Sequence, residues 1–253
     1  MRNQLKIALC FFLALSAPSL AAQQPQETAA PAQQPKPQLT PEMRGDIFMA
    51  RRMYREAIEA YQSITPPTAV ILNKIGIAYQ QLGDLKMARK MYERALKLNK
   101  KYAEAINNIG TVHYARKSYR RAISAYKKAL ALNPDSASIY SNLGTAYFAR
   151  RDYRRAIECY EKAVSLDPDV FERRGTQGVL LQERSVEERA RFHYYLAKVY
   201  AKAGRNDLAL FYIRKSLEEG FKEKKRYLEE DEFAELRKLP EFEEIMKIEP
   251  RVL

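Results

Sequence analysis

The chain has 253 residues, 46% hydrophobic and 30% charged, with a formal net charge of +13. This length suits one ordinary domain or a short solenoid. Only 9 Gly and no Trp, against abundant Ala, Leu, Lys, Arg, Glu and Tyr, favour helix over sheet.

At the N-terminus, Arg2 and Lys6 precede the almost wholly apolar run Ile7 to Leu15, and Ser19-Leu20-Ala21 supplies small residues. That order predicts a secretory signal peptide over residues 1–21, cut near Ala21. The apolar run is too short for a bilayer span of about 20 residues; an uncleaved anchor is the alternative. Cys10 lies inside the run and follows Leu9 rather than a small residue, which argues against lipid attachment. Without residues 1–21 only Cys159 is left, so no intrachain disulfide forms even in an oxidising compartment. Residues 22–40 are rich in Gln, Pro and Ala without apolar periodicity, and read as a disordered or extended tether. The expectation is an exported, periplasmic protein, free or membrane-associated.

Thr40-Pro41-Glu42 is a helix start, with Thr as N-cap and Pro in the first turn. A first helix pair over 41–68 presents Gly45, Phe48, Tyr54, Ala57 and Tyr61 and stops at Pro66-Pro67. A second, over 69–102, presents Leu72, Ile75, Gly76 and Tyr79, turns at Gly83-Asp84, and continues with Ala88, Tyr92 and Ala95. Two blocks then follow back to back, 103–136 and 137–170, agreeing at 17 of 34 positions without a gap. The matches include Gly110/Gly144, Tyr119/Tyr153, Ala122/Ala156, Tyr126/Tyr160, Ala129/Ala163 and Pro134/Pro168. Apolar residues recur three and four apart in every segment, so each is an amphipathic helix. A fixed period of this kind marks one supersecondary unit stacked repeatedly.

The phase breaks over 171–189, an insertion holding Arg173-Arg174-Gly175, Gly178 and Val179-Leu180-Leu181, read as a structured loop or short hairpin. Ser185-Val186-Glu187-Glu188 is a capping box that restarts helix. A fifth unit over 190–221 gives Leu196, Ala197, Tyr200, a Gly204 turn, Ala209 and Ile213, ending at Gly220. Residues 222–253 place Phe233, Leu236, Leu239, Phe242, Ile245 and Met246 around Pro240, an amphipathic tail able to cover the last unit.

A bulky residue, Leu/Ile–Gly–x2–Tyr, then Ala–x3–Tyr–x2–Ala closing on Asn/Asp–Pro resembles the tetratricopeptide repeat, over about residues 41–221. The resemblance implies an all-α, right-handed superhelical solenoid of antiparallel helix pairs, about five units, with a helical C-terminal cap. It also implies a concave groove lined by the first helix of each unit. The groove positions fall on Asn73, Lys74, Ile77 and Gln80; on Asn107, Asn108, Thr111 and Tyr114; and on Ser141, Asn142, Thr145 and Phe148. Such a wall is amide and hydroxyl with two exposed aromatics, suited to an extended peptide backbone and an apolar anchor; ordinary polar lining is the plainer alternative. The subfamily that clamps a C-terminal carboxylate needs paired basic residues. Here only Lys74 qualifies, and Glu104 faces the same groove, so a clamp is not expected.

No catalytic constellation, phosphate loop, nucleophile elbow or metal-spaced Cys/His set occurs, so neither enzyme activity nor a cofactor is expected. His113, His193 and Cys159 fall on packing positions of the register. The carboxylates Glu187-Glu188 and Glu229 to Glu232 suit helix N-termini. A second surface is a basic edge at the turns: Arg51, Arg52 and Arg55; Arg116, Lys117, Arg120 and Arg121; Arg150, Arg151, Arg154 and Arg155. It would attract an anionic membrane or an acidic polymer, or simply keep the turns solvated. Export and the lack of any recognition motif argue against nucleic acid. The expected function is a protein- or peptide-binding adaptor in envelope assembly or secretion; the alternative is a scaffold docked through the basic edge.

Overall fold

A computed structural model describes residues 39–172 and 185–249. The signal, the tether as far as residue 38 and residues 173–184 of the insertion, with Val179-Leu180-Leu181, lie outside the described residues. Five helix pairs make up the body: α1 (Pro41–Ala50) with α2 (Tyr54–Gln62), α3 (Ala69–Gln81) with α4 (Leu85–Leu98), and α5 (Ala103–Ala115) with α6 (Tyr119–Leu132). They continue with α7 (Ala137–Ala149) and α8 (Tyr153–Leu166), then α9 (Val186–Lys202) and α10 (Asn206–Glu218). A tail of α11 (Arg226–Glu229), two 3-10 turns and α12 (Pro240–Met246) closes the array. From α1 to α10 each helix packs on the next, and α5 also meets both α3 and α7. Among the described residues no helix is long and apolar enough to cross a membrane.

The helix starts follow from local chemistry. Thr40 Oγ1 accepts the Met43 N–H at 3.2 Å with Pro41 in the first turn, and Asp84 and Asp152 cap α4 and α8. Ser185 Oγ accepts the Glu188 N–H at 3.1 Å, so α9 begins at Val186, inside the stretch read as insertion. Each pair turns through the same device. The N–H of Met53, Asp84, Ser118, Asp152 and Arg205 reaches back five residues to a carbonyl, and the N–H before it closes a shorter loop. The residue between sits at positive φ: Gly83 and Gly204, but also Arg52, Lys117 and Arg151 at 60°, 56° and 62°.

Inside each pair, one contact sets the spacing. A Cβ placed on Gly110 would lie 2.6 Å from Tyr126 Cε1, and closer still for Gly45 on Tyr61, Gly76 on Tyr92 and Gly144 on Tyr160. These four tyrosines are almost wholly buried. At the corresponding place in the fifth pair, Ala197 takes the glycine position and Ile213 the tyrosine position, both fully buried. Removing the ring is what makes room for the methyl.

The tail covers α9, as a solenoid end requires. Tyr194 stacks on Phe221 at 4.6 Å and meets Tyr227 edge-on at 5.5 Å, while Leu236, Phe242 and Ile245 are buried. Glu230 stands at the start of the 3-10 turn Asp231–Phe233, as its acidic run suggests, but its side chain makes no cap there and serves this docking. Its carboxylate accepts from Tyr194 Oη at 2.5 Å and Lys198 Nζ at 3.2 Å, and pairs with Arg226 at 2.7 Å. Burial alone would raise its pKa, but these hydrogen bonds outweigh it and hold the group below the usual glutamate value.

Two outcomes follow. Gly110→Ala should cost about 1–3 kcal/mol by overpacking, and adding Tyr126→Ile should recover part of that loss. A double-mutant cycle in urea that gives simple additivity would contradict the seam. Because Glu230 has a depressed folded-state pKa, its contribution is present above the unfolded value of about 4.3 and is lost as pH falls through the folded value. Glu230→Gln should therefore lower Tm at pH 7, with the gap from wild type closing in acid; a gap independent of pH would refute this role.

Candidate binding surfaces

Helices α3, α5 and α7 bring the expected groove residues onto one side, but much of their polar capacity is spent within the chain. Asn142 Nδ2 donates to Asn107 Oδ1 at 3.1 Å, Asn107 Nδ2 to Asn108 Oδ1 at 3.2 Å, and Asn108 Nδ2 to Asn73 Oδ1 at 2.9 Å. Four amides thus run head to tail across three units. At one end, Asn142 Oδ1 has no hydrogen-bond partner among the described residues, although Asn142 is 2% exposed.

Hydroxyl and amide positions beside this ribbon hold the seam tyrosines. Tyr126 Oη donates to Thr111 Oγ1 and Tyr160 Oη to Thr145 Oγ1, each at 3.4 Å, and Tyr61 Oη to Asp46 Oδ1 at 2.6 Å. In each case the acceptor follows the seam glycine. In the second unit Ile77 takes that place and cannot accept, and Tyr92 Oη turns to Gln80 Oε1 at 3.1 Å. The role of Thr111 and Thr145 shows in the sequence as a constant spacing from glycine and tyrosine, but only once the two side chains are known to meet; Gln80 stands at a different spacing and gives no such signal.

The fourth unit departs most from expectation. Ser141, Asn142 and Thr145 are buried, and so is Asn73 in the second. Phe148, expected as an exposed anchor, is 4% exposed and packs edge-on against Tyr153 at 5.3 Å and Phe192 at 5.6 Å. It is a joint between the fourth and fifth units. Lys74 is likewise engaged, by Asp46 at 2.7 Å and Glu42 at 2.9 Å. Ile77, Gln80, Asn107, Asn108, Thr111 and Tyr114 stay half-exposed, with Glu104 exposed nearby. The accessible part of this side is therefore units two and three.

All eleven basic-edge residues are exposed. Their continuity is limited, because Leu82-Gly83-Asp84 occupies the turn of the second unit and separates Arg51, Arg52 and Arg55 from the rest. In unit four, Arg154 pairs with Glu158 at 2.9 Å and Arg155 with Asp152 at 3.3 Å. Between the turns of units three and four lies a shallow depression of about 390 Å³ lined by Lys117, Ser118, Tyr119, Arg120, Arg121 and Arg150. The positive field is felt by His113, whose pKa is lowered by burial and then by Arg89, Arg121 and Arg116.

The remaining titratable groups are structural. His193 is mostly covered and its Nδ1 lies 2.7 Å from Glu219 Oε2. Glu219, which burial would push up, is held low by His193 and Arg189. Burial pushes the Cys159 thiol up to about 12, which makes it a poor nucleophile. Among the described residues no group of His, Cys, Asp and Glu could hold a metal ion.

Known proteins bear on this geometry. Sequence profiles described as tetratricopeptide repeat match residues 42–101 and 137–170, and one described as TPR repeat matches 110–150. No curated protein matches the chain. The crystal structure of MamA aligns at 26% identity over 69% of this chain and 93% of its own, with a TM-score of 0.47. YrrB, described as a TPR protein with an unusual peptide-binding site, aligns at 22% over 50% of this chain and 67% of its own, with a TM-score of 0.44. The Cut9–Hcn1 hetero-tetramer of APC/C aligns at 20% over 78% of this chain and 35% of that chain, with a TM-score of 0.52, a likeness of fold to a helical array. The repeats are those of a non-catalytic scaffold family. By its matched profiles, together with the seam of glycine on tyrosine and the five helix pairs, the chain carries tetratricopeptide repeats over residues 42–101 and 110–170.

Proposed function

We propose that this protein is an adaptor that holds a peptide or protein segment along the first helices of units two and three. The observation that carries this reading is the amide ribbon from Asn73 to Asn142, flanked by half-exposed Ile77 and Tyr114. An amide offers both donor and acceptor at each step, as a peptide backbone does, and the ribbon's own bonds use only part of that capacity. The burial of the fourth unit narrows the site to Ile77, Asn107, Thr111 and Tyr114, with Glu104 at its margin. The signal-like residues 1–21 and the tether behind them support work in the periplasm, in envelope assembly or secretion.

A second reading rests on the paired turns of units three and four, where exposed cations outnumber their ion-pair partners around one depression. That edge suits an anionic membrane or acidic polymer.

Crosslinking capture from native periplasm should be lost with Ile77→Glu combined with Tyr114→Ala, while Tm shifts little. Capture that survives both changes in a folded protein overturns the groove reading. Salt separates the two surfaces: edge binding should fall steeply as ionic strength rises, and Arg120→Glu with Arg154→Glu should release the protein from anionic vesicles. Vesicle binding that is absent, or indifferent to that charge reversal, removes the second reading.

A further inference from the structure

On the other side of α5 from the amide ribbon, Ile106, Ile109 and His113 recur at helical spacing and form the floor of a cavity of about 410 Å³. Leu96 of α4 and Ala125 of α6 complete its apolar lining, and Arg121, Ser124 and Lys128 stand at its rim. The volume lies within the range of ligand pockets, ~300–1,000 Å³.

The repeat register shows that this space belongs to the third unit. Thirty-four residues on, Ile106 and His113 become Tyr140 and Tyr147, and Ala125 becomes Cys159. There the Tyr147 ring is covered by the Arg155 guanidinium at 5.6 Å and the Lys127 ammonium at 5.9 Å, and Arg155 also pairs with Asp152. In the third unit the equivalent Arg121 faces His113 in place of the tyrosine, and Ser118 stands in place of the aspartate. Among the described residues neither Arg121 nor Lys128 has an ion-pair partner. The unit before differs too, with Tyr79 and Met91 at the places of His113 and Ala125. Small side chains in one unit have therefore opened a space that its neighbours fill with larger ones. The cations beside it have been left uncompensated.

We propose that this cavity receives the apolar side of an acidic amphipathic peptide segment, whose carboxylates meet Arg121 and Lys128. Charge complementarity fixes the sign: Arg89, Arg116 and Arg121 all act on His113, against the single acidic influence of Glu93. Apolar lining with cations on the rim matches a helix that carries bulky residues on one face and Glu or Asp beside them. The site is separate from the groove of units two and three and does not depend on it.

The test uses a fluorescein-labelled helical peptide with Phe and Leu four residues apart on a Glu-rich background. Wild type should bind it, and Ile106→Tyr with His113→Tyr, which writes the fourth unit's residues into the third, should weaken binding at least about tenfold. Should that double variant fail to fold, Ala125→Met, copied from Met91, fills the cavity from α6 and should have the same effect. Replacing Phe and Leu of the peptide by Ser should abolish binding, and Arg121→Glu with Lys128→Glu should weaken it. No binding by wild type, equal binding by a folded filled variant, or equal binding of the Ser peptide would overturn the proposal.

Discussion

The structure depends on a tyrosine ring lying where a Cβ would otherwise be. In four of the five pairs the second helix presses its tyrosine onto the bare backbone of a glycine in the first. Close packing of this kind leaves no slack for a methyl. Because the ring is long, its hydroxyl emerges on the far side of the first helix and needs an acceptor, since a buried polar group without one is costly. Asp46, Gln80, Thr111 and Thr145 supply it. The seam therefore fixes helix separation, helix rotation and the identity of a residue on the opposite face.

That linkage explains which parts of the molecule could be read from the chain. Periodicity, caps and turn glycines are local, and the helix pairs, the Thr40 and Ser185 starts and the covering tail were all legible from them. A register assigns a residue to a face; what later covers that face comes from elsewhere. Phe148 occupies a groove position in the repeat, yet the fifth unit returns after a break in phase and packs Phe192 against it. Lys74 reads as an isolated base until Glu42 and Asp46, about thirty residues earlier, close on it. Glu230 reads as one of four acidic residues in a row, and only the docked tail singles it out.

The three cations at left-handed turn positions point away from a purely structural reading of the basic edge. Gly83 and Gly204 show that the turn is made without strain by glycine, whereas a residue with a Cβ there costs roughly 1 kcal/mol or more. Arg52, Lys117 and Arg151 each carry that cost at an exposed site. Unit two, which has glycine at the turn, is also the unit that interrupts the edge. Conformation and charge therefore change together from unit to unit, and packing alone demands neither.

The Ala197 and Ile213 pair has a consequence for how such an array can grow. Glycine belongs with tyrosine and alanine with isoleucine, and the two members of each pair lie on different helices of one unit. Recombination between units would preserve both pairings. Recombination at the turn inside a unit would set alanine against tyrosine, or glycine against isoleucine, giving a clash in one product and a void in the other. The heritable module is the whole helix pair, and its viable breakpoints lie in the connections between pairs.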